Sequence, residues 1–401
     1  MKTLELKKNL YYVGVHDRDL RVFDIIMLTQ YGTTYGSYVL KGSEKTVLFE
    51  TAKDGFLDEY LKSVREIVDI ADIDYIVVSH TEPDHSGSIE ALVKMNPDIK
   101  IVGTVPALTF LKHMVQAEFK SITVKDDDVL SLGDVSLRFF NLPNLHWPDT
   151  MLTYIEELST LVTCDVFGAH YSSDAILRSQ LTAEEEPRYL DAFKYYFDNI
   201  IAPFKRPFMT NALKKIDGLK IDMICTGHGP VLDTGIEETI ASYVKWCEAD
   251  APFEKKTVVM PYVSAYGYTR RMAAEIERGL RDGGVDVIVH DLVDADKKQV
   301  MADIGRADGL LFGTPTFLGD ALEPIWDLLI KMLPGVHGGK PAAAFGSYGW
   351  SGEAVAFITE RLKQLKMKTV EGLRVRFKPF DGDIAAAYEF GKSFAAKVLG
   401  E

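Results

Sequence analysis

Val77-Val78-Ser79-His80-Thr81-Glu82-Pro83-Asp84-His85-Ser86-Gly87 puts four metal-ligating side chains within six residues. They follow an apolar run, residues 75–79, that reads as a buried strand. Along an extended chain alternate side chains share a side, so His80, Glu82 and Asp84 point one way. Pro83 stiffens the segment, and His85 turns in from the start of the following helix. One loop of this kind can serve two neighbouring metal ions.

Three further candidates lie downstream. His146 sits in Leu145-His146-Trp147-Pro148, after a strand over 136–140. Asp165 follows the apolar run 161–164, and His228 follows Ile224-Cys225-Thr226-Gly227. Each stands just past an apolar run, where loops at strand ends collect polar groups over a core. Any one of them alone reads as a satisfied structural side chain; the recurrence makes a set of four histidines and three carboxylates. Imidazole and carboxylate without thiolate suits iron or manganese as well as zinc. Cys164 and Cys225 read as buried small hydrophobes.

Other strands are expected over 37–40, 46–49, 100–103, 152–155, 161–163 and 223–225, with a helix over 235–248. Residues 249–256, polar and broken by Pro252, read as a linker between domains 1–250 and 251–401. Beyond it the pattern changes. Strands over 257–263, 285–290, 309–313, 341–346 and 373–377 alternate with helices over 270–282, 298–304, 324–331, 353–365 and 384–399. That alternation predicts a doubly wound parallel sheet of order 2-1-3-4-5.

Three loops of this second domain carry a ligand signal. Ser264-Ala265-Tyr266-Gly267-Tyr268-Thr269 joins the first strand to its helix, where N–H groups and the positive helix end attract phosphate. Gly313-Thr314-Pro315-Thr316-Phe317-Leu318-Gly319 follows the third strand. Gly346-Ser347-Tyr348-Gly349-Trp350-Ser351-Gly352 follows the fourth. Both end at the carboxyl edge of the sheet, where doubly wound folds bind ligands. Stacking on a flat ring system accounts for Trp350 on a glycine-rich loop. The glycine patterns of a nucleoside triphosphate loop and of a dinucleotide fold are absent from the sequence.

Composition narrows the field further. The 401 residues are 47% hydrophobic and 26% charged, which fits two ordinary globular domains. With 45 basic and 59 acidic residues the net charge is −14, so general binding of nucleic acid or anionic membrane is not expected. The three cysteines are far apart, which excludes a disulfide scaffold and an appended Cys-x-x-Cys metal module. The polar N-terminus predicts no signal peptide, and no run approaches the ~18 apolar residues of a membrane helix. The chain is expected in the cytoplasm.

The ligand pattern resembles the metallo-β-lactamase superfamily, whose hallmark is HxHxDH with downstream His, Asp and His. Glu82 replaces the second histidine, as in flavodiiron proteins. With the flavodoxin-like second domain, the resemblance to flavodiiron proteins spans essentially the whole chain. It implies an N-terminal metallo-β-lactamase-like αββα sandwich, two iron ions and FMN. One iron would be held by His80, Glu82 and His146, the other by Asp84, His85 and His228, with Asp165 bridging. His170 matches a position lining the substrate pocket. FMN contacts would come from Ser264, Tyr266, Gly267, Tyr268, Thr269, Pro315, Thr316, Phe317, Leu318, Gly319, Ser347, Tyr348, Gly349, Trp350 and Gly352.

The implied activity is reduction of O2 to water, of NO to N2O, or both, by a head-to-tail homodimer or a tetramer. The donor would be rubredoxin or a separate flavin- or NADH-linked reductase. Phe23-Asp24-Ile25-Ile26, ahead of Gly32-Thr33-Thr34-Tyr35, departs from the Phe-His-Gly of many relatives. Two other readings are a dizinc hydrolase with a regulatory flavodoxin-like domain, and a redox sensor. Glu82 speaks against the first, and seven candidate ligands against the second, since structural sites close with about four.

Overall fold

The structure is a computed structural model that describes residues 3–248 and 252–400. The chain divides into two compact units, Met1–Cys247 and Glu248–Glu401. The expected domain boundary, at 250/251, and residues 249–251 of the expected linker lie outside the described residues.

The first unit is built on a seven-stranded and a five-stranded sheet. The first contains Tyr38–Lys41, Thr46–Phe49, Tyr75–Val77 and Lys100–Gly103; the second Ser136–Asn141, Met151–Ile155, Thr160–Cys164 and Met223–Thr226. The period-2 rule of strands explains how they stack. Tyr38, Leu40, Val47, Phe49, Val77 and Val102 share one core with Phe139, Met151, Val162 and Cys225. The alternate residues Val39, Leu48, Ile76, Ile101, Leu152, Leu161 and Ile224 belong to another. Helix residues Tyr60, Leu61, Val64, Ile89, Leu92, Tyr189, Phe193 and Tyr243 belong to that second core. These central strands are therefore apolar on both faces, as a sandwich covered by helices requires.

The ligand loop departs from the expected extended shape. Pro83 occupies the first position of a short helix, Pro83–Ser86, so Asp84 and His85 sit on a helical turn. Proline's fixed φ and missing N–H suit that position, which ends the extended run at Glu82. The parallel strands flanking Tyr75–Val77 bring this loop to the same sheet edge as Glu50 and Thr104.

The second unit is a parallel sheet whose strands run Asp286–Asp291, Thr257–Tyr262, Gly309–Gly313, Pro341–Tyr348. The fifth position is shared by Lys368–Thr369 and Leu373–Arg376, both paired to Pro341–Tyr348. This is the 2-1-3-4-5 order, with the last strand broken in two. Helices Tyr268–Asp282 and Asp381–Leu399 pack closely. A Cβ on Gly279 would lie 2.0 Å from the Tyr388 carbonyl oxygen, and one on Gly391 2.2 Å from that of Ile276. Only glycine admits that approach.

Candidate metal centre and flavin loops

His80, Glu82, Asp84, His85, Asp165 and His228 are all buried, and His146 nearly so. All seven converge. His80, Glu82, His146 and Asp165 form one group of ligand atoms within 4.8 Å of one another; Asp84, His85 and His228 form a second. Asp165 divides its oxygens between them. Its Oδ2 lies 2.8 Å from His146 Nε2 and 3.6 Å from His80 Nε2. Its Oδ1 lies 3.1 Å from His85 Nε2 and 3.6 Å from His228 Nε2. Glu82 Oε2 is 3.0 Å from His146 Nε2, and Asp84 Oδ2 is 3.2 Å from the Nε2 of both His85 and His228. Every histidine turns Nε2 inward.

The electrostatics call for cations. Burial opposes charge on these histidines, yet Asp165 raises His80 above its ordinary pKa and Asp84 raises His85. His146 rises to about 10 because hydrogen bonds to Asp165 and Glu82 outweigh its burial. Burial likewise opposes charge on Glu82 and Asp165, and the imidazoles hold both well below the carboxylate range. Neither oxygen of Asp84 has a hydrogen-bond partner, nor has Asp165 Oδ1. Buried carboxylates without donors are costly unless a cation neutralises them. The donor set and its orphaned oxygens fit a pair of metal ions.

Outer groups fix the inner ones. The His228 Nδ1–H donates to the Thr34 carbonyl at 2.7 Å, leaving Nε2 free to ligate. Thr33 Oγ1 lies 3.2 Å from the same Nδ1 and 2.9 Å from His170 Nδ1. Thr33 Oγ1 also lies 3.3 Å from the Thr34 carbonyl, so this hydroxyl links the two imidazoles and that carbonyl, with the donor at each imidazole set by the histidine tautomers. His170 Nε2 is buried without a partner. The His170 ring is 4.8 Å from that of His228, 4.8 Å from that of Tyr196 and 4.5 Å from that of Phe23. Asp149 Oδ2 accepts the Thr81 N–H at 2.9 Å and steadies the ligand loop.

Thr33, Thr34, Phe23 and Tyr196 carried no ligand signal in the sequence, and Glu50 only its place after the apolar run 46–49. Asp24, noted there only as a departure, has its carboxyl pushed up to about 6 by burial and the charge of Glu82. Cys164 is buried, and its Sγ lies within 4.8 Å of ligand atoms of His80, His85 and Asp165. Burial pushes its thiol well above the ordinary range, which keeps it protonated and a poor ligand.

In the second unit Gly267 is left-handed, with open space where a Cβ would stand, and Tyr268 opens the helix. Ser264 Oγ accepts the Arg270 N–H at 3.2 Å. Thr269 and Ser347 are buried and bond to one another through their hydroxyls at 3.0 Å, tying two of the three loops together. Thr316–Phe317 pairs with Asp320–Ala321 in a hairpin turned by Leu318 and Gly319, both left-handed. Pro315 precedes that hairpin. A Cβ on Gly352 would meet the Tyr348 ring at 2.7 Å, and one on Gly349 the Phe377 ring at 3.1 Å. Tyr266, Leu318 and Trp350 are exposed. An open phosphate-loop glycine beside exposed aromatic groups fits a flat, phosphorylated cofactor.

Residues 34–229 match the ODP family beta lactamase, and residues 261–391 match flavodoxin. The chain is 38% identical to flavo-diiron protein FprA2 of Clostridium acetobutylicum over 99% of this chain and all of that protein. It is 35% identical to the type A flavoprotein fprA of Rhodobacter capsulatus, over 98% of this chain and 90% of the relative. Rubredoxin oxygen:oxidoreductase from Desulfovibrio gigas has a similar structure, with a TM-score of 0.62 and 26% identity. That match covers 100% of this chain and 99% of that one. Among the described residues, no helix is long and apolar enough to cross a membrane.

Proposed function

The chain belongs to the flavodiiron protein family, and on that premise we propose that it reduces O2 to water, NO to N2O, or both, at a diiron centre fed through FMN. The division of Asp165 between two groups of ligand atoms carries this reading. His80, Glu82 and His146 would hold one iron, Asp84, His85 and His228 the other, with Asp165 shared. The three loops of the second unit would hold FMN. Thr269 and Ser347 set the loops, Gly267 leaves room for phosphate, and Trp350 offers a ring face. When bound, these groups supply the redox chemistry: the flavin stores electrons and the irons bind and reduce the gas.

The chain's own residues do the rest. The Thr33 hydroxyl, bonded to His170 Nδ1, orients that ring, burial keeps it neutral, and its Nε2 offers a hydrogen bond rather than a proton at a buried position beside His228. Phe23 and Tyr196 wall that position with apolar surface and keep bulk water out. Electrons would come from a rubredoxin or a separate reductase, in a cytoplasmic homodimer or tetramer.

The deciding measurement is metal and flavin content of anaerobically purified full-length protein, followed by O2 and NO consumption with reduced flavin. About two irons and one FMN per chain, with gas uptake, are expected. About two zincs per chain and no gas uptake would overturn the reading in favour of a hydrolase.

A further inference from the structure

Glu50 directly follows the strand Thr46–Phe49 and is fully buried. Its backbone is left-handed, at φ 55°, an uncommon and strained state for a side chain of this kind. The surroundings hold it there. The Glu50 N–H donates to the Val77 carbonyl at 3.0 Å. The Glu50 carbonyl accepts the Ser37 hydroxyl at 3.0 Å and the Tyr60 hydroxyl at 3.3 Å. All the main-chain hydrogen-bonding capacity is used, and the carboxyl is aimed inward.

That carboxyl meets the back of the ligand loop. Oε1 accepts the Ser79 N–H at 2.9 Å, just before His80. The next residue, Thr51, grips the loop's other end: its N–H and its hydroxyl donate to the His85 carbonyl at 2.7 and 2.8 Å. Residues 50 and 51 thus clasp 79 and 85 together. Five buried polar atoms here have no partner: Glu50 Oε2, Ser79 Oγ, His80 Nδ1, Thr81 Oγ1 and His85 Nδ1, the nitrogen turned away from Asp84 and Asp165. Of the two imidazoles, His85 acts on the Glu50 carboxyl more strongly than His80 does. A metal-ligating histidine nearly always donates its outer N–H to a carboxylate, carbonyl or water. A buried carboxylate oxygen needs a donor for the same reason.

We propose that Glu50 is the outer carboxylate of the metal centre, taking the Nδ1–H of His85 across one water and so fixing His85 as an iron ligand. The inference rests on the diiron reading of this site. Glu50 is a positioning residue, because it touches neither iron nor gas. Its left-handed backbone goes with a carboxyl that reaches the Ser79 amide.

The test is iron titration into the full-length apoprotein, with each of the two dissociation constants measured by competition against a chelator. Wild type should take two irons; failure there would count against the diiron reading itself. Glu50→Gln should weaken the more weakly held iron by about 10- to 100-fold. In a His85→Asn background the same substitution should add less than about twofold, because the residue through which it acts is gone. Affinities within about twofold of wild type in Glu50→Gln would overturn the proposal. So would an undiminished effect in the His85→Asn background. If Glu50→Gln does not fold, Glu50→Asp, which keeps the charge and shortens the reach, should weaken the same iron; wild-type affinity in it would overturn the proposal as well.

Discussion

The metal cluster and the flavin loops solve the same problem, holding a redox group, in opposite ways. The cluster draws seven side chains from four separated segments, and six of them are buried. Its polar atoms answer to one another through the core: Asp165 to four imidazoles, His228 to Thr34, the ligand loop to Asp149 and Glu50. The flavin loops are local. Each is one strand end, and Tyr266, Phe317 and Trp350 stand in water, Trp350 at 92% exposure. A change in the cluster should therefore spread to every partner, while a change in a loop should stay where it is made.

Asp165→Ala is the severest test of that contrast. It removes one carboxylate shared by both groups and leaves four buried histidines facing each other. Loss of a partner from a buried charged set costs about 3–5 kcal/mol, about 100- to 4000-fold if it falls on metal affinity. Both irons should be lost together, with flavin content unchanged. Retention of one iron at wild-type affinity would mean that the two groups are independent.

Chelation sharpens the comparison without a mutation. A ligand that binds only the folded state stabilises it by about 4 kcal/mol at a thousandfold excess over its dissociation constant. For a unit of this size that is about 10 °C in melting temperature. Removing iron should lower the transition of the first unit by that amount and leave the second unmoved. Equal shifts in both would break the claim that the two sites are held separately.

Buried histidines behave differently inside and outside the cluster, and His170, outside the ligand set, is held well below its ordinary pKa by burial. Those of the cluster are pushed towards charge by carboxylates. His337, in the second unit, is pulled down to about 4 by burial, with Lys340 adding repulsion. Its Nδ1 accepts the Leu333 N–H at 3.0 Å, which needs the neutral ring. Unfolded, the residue titrates at its ordinary 6.5, so between 6.5 and about 4 only the unfolded chain takes the proton. Stability is full above 6.5 and falls as pH drops through that window, by about 3 kcal/mol. Acid melting of the second unit should show this loss, and His337→Gln should abolish most of it. An unchanged pH slope in the variant would remove His337 from the account.

What the sequence made legible follows the same divide. The strands of the second unit were readable because a parallel sheet covered on both faces leaves apolar runs, as in Gly309–Gly313. The short strands near the start, Leu4–Lys7, Leu10–Tyr12 and Val15–Asp17, were not, because three or four residues are too short a run to show a period. The seven ligand candidates announced themselves by residue type and by position after apolar runs. Glu50 followed such a run too, and that was its only signal. Thr33 and Thr34 could not be found that way, since their hydroxyl and carbonyl matter only once the fold brings residues 33 and 228 together. Residue types disclose the inner ligands; only the fold discloses what orients them.

The smallest expected effect is at Trp350, and it tests the local half of the contrast most cleanly. The side chain lies almost wholly in water, so Trp350→Ala removes no buried contact and should change the stability of the flavin-free unit by less than about 0.5 kcal/mol. A ring stacked on it gains about 1 kcal/mol beyond area burial. FMN affinity should therefore fall about 2- to 10-fold, measured by flavin fluorescence, while Trp350→Phe stays near wild type. Iron content should not move in either variant. If Trp350→Ala instead destabilised the flavin-free unit, the loop would be a packed element like the metal cluster, and exposure would no longer separate the two sites. If FMN affinity were untouched, Tyr348, on the same loop and half-buried, would be the remaining aromatic to test there.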